Sequence, residues 1–191
     1  MKKFIGTLFI IGLAIALRSQ SFTHNDIPFL HVATASGTSC FAYYTNYADT
    51  TTNAGNPTYI FHRPTENGTN TAPYSLSLVS TNTVFAPLAF TVTTAGTYSF
   101  RMVALNGPIF WDTYCFLYGY AFNPSFPLTD CFLGNDDYLA PDLIGVYDNC
   151  ISMDYYCAPG SPYIFVGCGY LDEDVGPFML IIYGPCGVTF L

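Results

Sequence analysis

Short runs in which large apolar residues alternate with smaller or polar ones dominate the second half of the chain, and they predict β-strands. From Tyr114 to Tyr120, tyrosine or phenylalanine stands at every second position, and the intervening Cys115, Leu117 and Gly119 are small or apolar. A strand with these two faces is typical of a central strand buried on both sides. No apolar pattern with the helical period of 3.6 follows the first residues. The pattern therefore predicts an all-β fold.

Turn-forming segments divide these runs into antiparallel arms. Thr94-Ala95-Gly96 predicts a hairpin between Leu88–Thr93 and Thr97–Leu105. A second hairpin is predicted between Tyr163–Gly169 and Phe178–Tyr183, across residues 171–176. Strands of this length and spacing predict an antiparallel two-sheet β-sandwich, jelly-roll-like, with about eight strands.

The first residues have the pattern of a secretory signal peptide. Lys2 and Lys3 precede the unbroken apolar run Phe4–Leu17, which is shorter than the ~20 residues that a membrane-spanning helix needs. We predict a cleaved signal peptide over 1–21, an N-terminal extension (partly extended or loop) over 22–58, and the β-sandwich domain over 59–191. The predicted location is extracellular or periplasmic, secreted or at the cell surface, with no membrane span after cleavage.

The chain is acidic, with a formal net charge of −8 at pH 7. Loss of the signal peptide removes Lys2, Lys3 and Arg18, so that Arg63 and Arg101 face 13 aspartate and glutamate residues. Such a surface repels phosphate backbones, and the composition therefore argues against nucleic-acid binding.

Cysteines in a secreted chain predict disulfides. Cys115 and Cys131 lie on strands adjacent in sequence, and so do Cys157 and Cys168, which makes these the two predicted pairs. The 7 cysteines are odd in number, so one thiol is free or pairs between chains, and Cys40 is available to tie the extension to the body. The absence of a Cys-x-x-Cys pair argues against zinc.

Aromatic residues also cluster in the extension, at Phe41, Tyr43, Tyr44 and Tyr47. Two interpretations stay open for them. They are the packing face of an extra strand, which is the commoner role of such a cluster, or they form a platform on which a sugar stacks.

Four segments together resemble a known kind of module: FHRPTENGTNTAPYSLS, FTVTTAGTYSF, WDTYCFLYGYAFNPSFPLTDCFLGNDD and APGSPYIFVGCGYLDEDVGPFMLIIYGP. They resemble the β-sandwich modules of secreted and surface bacterial proteins that are similar to the bacterial pre-peptidase C-terminal domain. The resemblance covers roughly residues 59–186. It implies a non-catalytic accessory or adhesive module, in some cases with bound calcium, although the cysteines here exceed the module's pattern.

The acidic turn at the end of the third segment is the candidate metal site. Asn135, Asp136 and Asp137 offer oxygen ligands of the kind that Ca²⁺ takes, and Asp112 begins the strand that leads towards them. The resemblance to calcium-bearing modules supports this assignment. The alternative is a solvated turn, in which Asn and Asp are common for backbone reasons.

The sequence gives little support to an enzyme. It contains no Gly-x-Ser-x-Gly elbow, no His-Glu-x-x-His helix and no Walker loop. His24, His31 and His62 are expected to be incidental surface residues, and the adjacent Asp136 and Asp137 are poorly placed to act as a hydrolytic pair. We therefore predict a secreted, non-enzymatic binding or adhesion module with a protein or glycan ligand. The alternatives are a structural subunit that assembles through sheet edges or an intermolecular disulfide, and a hydrolase that uses acidic loop residues.

Overall fold

A computed structural model describes residues 34–36, 39–48, 60–66, 71–105, 111–136 and 150–191. All regular secondary structure in these ranges is β-strand, as the alternating pattern predicts. The strands are β1 Thr34–Ser36, β2 Ser39–Ala48, β3 Ile60–Phe61, β4 Pro64–Thr65, β5 Ser75–Leu76, β6 Thr83–Val92, β7 Gly96–Ala104, β8 Thr113–Gly119, β9 Cys131–Asn135, β10 Cys150–Cys157, β11 Tyr163–Gly169, β12 Gly176–Pro185 and β13 Val188–Phe190.

The strands form two large antiparallel sheets. A five-stranded sheet has the order β1-β2-β12-β7-β10, and a six-stranded sheet has the order β13-β6-β11-β8-β9 with β3 beside β6. The small strands β4 and β5 pair with each other. The predicted all-β, antiparallel sandwich is confirmed. Eight of the 13 described strands have five residues or more, and the others have two or three.

The inward faces of the two sheets meet in a core that we call the inter-sheet core. The five-stranded sheet contributes the face of β7 that carries Tyr98, Phe100 and Met102, and each of these side chains is fully buried. The six-stranded sheet contributes Phe90 and Phe165, among others.

Both predicted hairpins are wrong in the same way. The arms of each belong to different sheets: β6 and β7 do not pair, and neither do β11 and β12. Each short loop instead carries the chain across the sandwich, so that the arms face each other through the core. Phe90 lies 5.5 Å from Phe100 between ring centres, and Phe165 lies 6.5 Å from Phe178. Residue alternation shows which side of a strand is buried, but it does not show which strand is its neighbour.

A second apolar cluster covers much of the outer face of the six-stranded sheet. Phe61 comes from the covering segment, by which we mean the described residues 60–66 and 71–82, and this segment lies over the outer face. Phe122 packs on the cluster from the loop after β8. Every residue of β8 is buried, which confirms the predicted central strand. The members of this second cluster are Phe61, Phe85, Tyr114, Phe116, Tyr118, Cys131, Val166 and Cys168.

The outer face of the five-stranded sheet is different. Thr97, Asp154, Tyr156 and Tyr183 on this face are exposed, and Ser99 Oγ donates a hydrogen bond to Asp154 Oδ1. This is the pattern of a half-buried antiparallel sheet, with one face in the core and one in water.

One disulfide joins the predicted extension to the body. Cys40 and Cys186 are bonded, with Cα atoms 4.9 Å apart and a sequence separation of 146. Cys40 lies on β2, which pairs along its whole length with β12. Cys40 therefore ties the extra strand to the body, as the sequence suggests.

Candidate functional site

The predicted metal residues lie at one end of the β8–β9 pair. Asp112 directly precedes β8, Asn135 is the last residue of β9, and Asp136 follows it. Asp137 lies outside the described residues. The predicted acidic turn is wrong at Asn135, which is the last residue of β9.

Strand geometry directs the neighbouring side chains of this segment to opposite faces. Asn135 is buried and lies opposite Cys115, whose side chain is in the inter-sheet core. Asp136 faces the other side. There its backbone N–H donates to Glu66 Oε2 at 3.1 Å, and its charge adds to the rise that burial causes in the pKa of Tyr114. Within the described residues, no three His, Cys, Asp or Glu side chains group closely enough to hold a metal ion. The calcium site stays a prediction.

The two predicted disulfides, Cys115–Cys131 and Cys157–Cys168, are not formed. Cys115 and Cys157 lie in the inter-sheet core, whereas Cys131 and Cys168 lie in the second cluster. The members of each predicted pair therefore occupy opposite sides of the six-stranded sheet, and their Cβ atoms do not point towards each other as a bridge requires. Adjacency in sequence failed as a guide for two different reasons. In the β8–β9 pair Cys131 lies opposite Tyr118 rather than Cys115, whereas between β10 and β11 the chain changes sheet.

These four thiols are buried rather than reactive. Burial raises the pKa of Cys131 to about 12 and that of Cys157 to about 12, and it raises the pKa of Cys168 as well. The thiolate is the nucleophilic form, so a raised pKa argues against chemistry at these sulfurs. Cys115 donates a weak contact to Met153 Sδ at 4.0 Å.

Arg63, in the covering segment, is a buried cation that stacks on aromatic rings of the second cluster and its neighbours. Its guanidinium carbon lies 4.0 Å from the centre of the Tyr114 ring and 5.1 Å from that of Tyr170. The group donates to Pro64 O at 3.1 Å and to Ser77 Oγ at 3.3 Å. These contacts fasten the covering segment to the sheet, because stacking on aromatic rings partly replaces the water that the cation loses.

The histidines do not form a catalytic base with an acidic partner in the described structure. His62 is half-buried, and its Nε2 lies 2.7 Å from Ser77 O. The expectation of an incidental surface residue is therefore wrong for His62, which holds the covering segment. His24 and His31 lie outside the described residues.

The aromatic cluster of the extension is only partly described. Tyr44 is half-buried, packs against the inter-sheet core and lies 5.3 Å from the Phe190 ring. This contact favours the packing interpretation for Tyr44. The side chains of Phe41, Tyr43 and Tyr47 lie outside what the structure describes.

The most distinctive surface feature is the loop between β8 and β9, residues 120–130, which we call the aromatic loop. Tyr120 and Asp130, at its two ends, have φ angles of 59° and 57°. Left-handed backbone is unusual for residues other than glycine, and especially for a bulky one such as tyrosine. Strain of this kind persists where the surrounding structure fixes it.

Hydrogen bonds fix both ends of the aromatic loop. Gly119 N–H donates to Asp130 O at 2.9 Å, and Tyr120 N–H donates to Pro162 O at 3.1 Å. Inside the loop, Ser125 N–H donates to Asn123 Oδ1 at 2.9 Å. The loop is therefore an ordered turn structure.

The aromatic loop has a buried side and an exposed side. Phe122 packs on Tyr118 with ring centres 4.7 Å apart, and Pro127 O accepts a hydrogen bond from the Tyr118 hydroxyl at 2.8 Å. In contrast, Tyr120 is 66% exposed and Phe126 is 65% exposed. The second cluster anchors the loop, and two aromatic rings remain in water.

Other tyrosines lie next to Tyr120. Tyr163 lies opposite Gly119, the residue before Tyr120, in the β8–β11 pair, and its ring centre lies 6.3 Å from that of Tyr155. Burial raises the pKa of Tyr155 and of Tyr163, and Tyr120 adds to the rise in both. Tyr155 stacks on Phe132 with ring centres 5.0 Å apart. Phe132 in turn lies over Gly119, where any Cβ would overlap its ring.

Sequence reasoning missed this site. Asn123-Pro124 and Phe126-Pro127 predict a break in the strand, and the structure has a loop there. Which of the loop's aromatic residues are buried depends on the covering segment, about 50 residues earlier in the chain, so local alternation does not reveal it. A left-handed tyrosine leaves no signal in the sequence.

Comparison with protein-family models and with curated proteins finds no match to this chain. The fold class is therefore defined by the structure alone: the molecule is an antiparallel β-sandwich with an ordered aromatic loop at one end. The resemblance to the pre-peptidase C-terminal domain stays a prediction. In the part of the chain that the structure describes, no helix is both long and apolar enough to cross a membrane.

Proposed function

We propose that this protein is a secreted, non-catalytic β-sandwich module that binds a partner at a surface, a protein or a glycan, through the aromatic loop. The observation that carries the proposal is the left-handed, exposed Tyr120 at the edge of an anchored loop. A strained aromatic residue that contributes little burial is better explained by a ligand than by stability.

The loop is suited to binding because it is already ordered. Binding is weakened by the entropy lost when loops and side chains become fixed, so a preformed loop retains more of its contact energy. Tyrosine and phenylalanine also offer large contact areas with few rotatable bonds. Export is supported by the signal-peptide pattern and by the Cys40–Cys186 disulfide, which suits an oxidising compartment.

Binding of the mature chain to intact cells of its source, and to their insoluble surface fraction, tests the proposal. The double variant Tyr120→Ala, Phe126→Ala is expected to lose most of the binding. Tyr74→Ala is the matched control, because Tyr74 is 72% exposed but belongs to the covering segment rather than to the loop. Equal binding by the double variant and the native chain would refute the role of the loop.

A second candidate function is assembly through a sheet edge. In the described structure β10 pairs on one side only, with β7, and an eight-residue open edge is able to accept a strand from another chain. The four thiols Cys115, Cys131, Cys157 and Cys168 are buried, which disfavours an interchain disulfide at these four positions. Size-exclusion chromatography with and without reductant separates these routes from a monomer.

Calcium stabilisation by Asp112, Asn135, Asp136 and Asp137 remains part of the proposal. Calcium at 100 times its dissociation constant is expected to add about 2.7 kcal/mol to the free energy of unfolding. Thermal unfolding is then higher in calcium than in chelator, and Asp136→Ala removes the difference. Superimposable melting curves in the two conditions would eliminate the site.

A further inference from the structure

The chemistry of the aromatic loop indicates a class of ligand. Resting on the proposed function, we infer that the loop binds an uncharged carbohydrate chain, with Tyr120 and Phe126 as the stacking residues and the loop's polar side chains as hydrogen-bonding partners. Three properties of the site lead to this class: its exposed aromatic rings, its polar groups and its lack of nearby basic groups.

The first property is the pair of exposed rings. Tyr120 and Phe126 are both about two-thirds exposed, and they belong to one hydrogen-bonded loop. A sugar ring has an apolar face made of C–H groups, which packs on an aromatic ring and removes apolar surface from water. The rings therefore match the apolar faces of a saccharide.

The second property is the set of exposed polar side chains in the same loop. Asn123, Ser125, Thr129 and Asp130 are exposed in the same loop. An amide, two hydroxyls and a carboxylate provide both donors and acceptors, as sugar hydroxyls do. Small-ligand sites combine apolar contact with a few placed polar groups in this way. A purely apolar partner would leave these polar groups without compensation.

The third property is charge. Arg63 and Arg101 are the basic side chains of the described structure. Arg63 stacks on Tyr114, which precedes the last residue of β8, Gly119, by five residues and so lies about 17 Å from the start of the aromatic loop. Arg101 pairs with Ser152 on β10, three residues before Tyr155, and it lies on the outer face of the five-stranded sheet. Among the described residues, phosphate, sulfate or uronate groups would meet no basic side chain at the loop, and the chain has a net charge of −8.

Affinity electrophoresis and calorimetry with defined probes test this inference on the mature chain. The neutral probes are hexasaccharides of β-linked glucose, N-acetylglucosamine, mannose and xylose. Heparin serves as the polyanion, and an oligoproline serves as an extended peptide that also docks on aromatic residues. At least one neutral saccharide is expected to bind. Tyr120→Ala is expected to weaken that binding about tenfold or more, as removal of an aromatic anchor does.

Two further variants separate binding from folding. Phe126→Ala removes the second ring at an exposed position and is expected to weaken saccharide binding as well, whereas Tyr74→Ala leaves it unchanged. Tyr120→Gly removes the ring but accepts the left-handed backbone, so it reports on the ring even if Tyr120→Ala unfolds.

The outcomes are distinct for the two proposals. If the loop variants lose cell binding while no neutral saccharide binds, the carbohydrate inference fails and the binding function stands. Binding of heparin or oligoproline alone, through the same residues, also overturns the carbohydrate inference. If neither cell binding nor saccharide binding depends on Tyr120 and Phe126, both proposals fail.

Discussion

The two sheets use their outer faces in opposite ways. The six-stranded sheet carries the second cluster on its outer face, beneath the covering segment and the aromatic loop. The five-stranded sheet leaves residues such as Tyr156 and Tyr183 exposed to water. The layer on the six-stranded sheet anchors the aromatic loop at Tyr118 of β8. The Phe122 ring packs on the Tyr118 ring, and Pro127 O accepts a hydrogen bond from the Tyr118 hydroxyl. The extra layer is therefore what positions the proposed ligand site.

The largest effect is expected from a break in the second cluster. Phe116 is fully buried, with its ring centre 5.0 Å from that of Tyr114, and Phe116→Ala should lower the free energy of unfolding by about 3–5 kcal/mol. Tyr183→Ala, on the open face, should lower it by about 1 kcal/mol or less. Urea unfolding of both variants measures the difference. An equal loss of unfolding free energy in the two variants would contradict the difference in burial between the two outer faces.

The next effect concerns the attachment of the five-stranded sheet. Replacing both Cys40 and Cys186 with serine should lower the free energy of unfolding by about 2–5 kcal/mol, because the bond closes a long loop of the unfolded chain. Unfolding in the presence of reductant should give the native chain a similar loss. An unchanged denaturation midpoint in both experiments would show that the disulfide does not form in solution.

A smaller effect compares the two arginines. Arg63→Lys should lower the free energy of unfolding by about 2 kcal/mol, since lysine does not keep both the planar stacking on Tyr114 and the two hydrogen bonds. Arg101→Lys, at a half-buried position of the other sheet, is the matched substitution and should cost about 0.5–1 kcal/mol. A larger loss at Arg101 than at Arg63 would contradict the role of Arg63 as the fastener of the covering segment.

The sequence predicts the parts of this fold that depend on local alternation. The two buried faces of β8 follow from the residues at alternate positions, and so does the inward face of β7. The pairing partner of each strand does not follow from alternation. A short loop can join two strands of one sheet in a hairpin, or it can carry the chain from one sheet to the other. The predicted Cys157–Cys168 disulfide failed for this reason. The predicted Cys115–Cys131 disulfide failed on register, because Cys131 lies opposite Tyr118. The compartment argument behind both agrees with the Cys40–Cys186 bond.

The candidate site was harder to predict than the fold. The acidic residues attract attention in the sequence because their chemistry is explicit, yet Asn135 is a buried strand residue. Tyr120 resembles any other strand tyrosine in the sequence. Its importance comes from its left-handed backbone and its exposure, and both depend on contacts with distant segments.

The most direct test of the account is the substitution Tyr120→Gly, measured for stability and for binding in the same preparation. If the left-handed tyrosine is retained for a ligand, glycine relieves the backbone strain, and the free energy of unfolding should stay the same or rise by up to about 1 kcal/mol. Binding to the surface fraction should be lost in the same variant. A loss of more than about 1 kcal/mol in stability with binding intact would show that Tyr120 is a structural residue, and it would contradict the central claim.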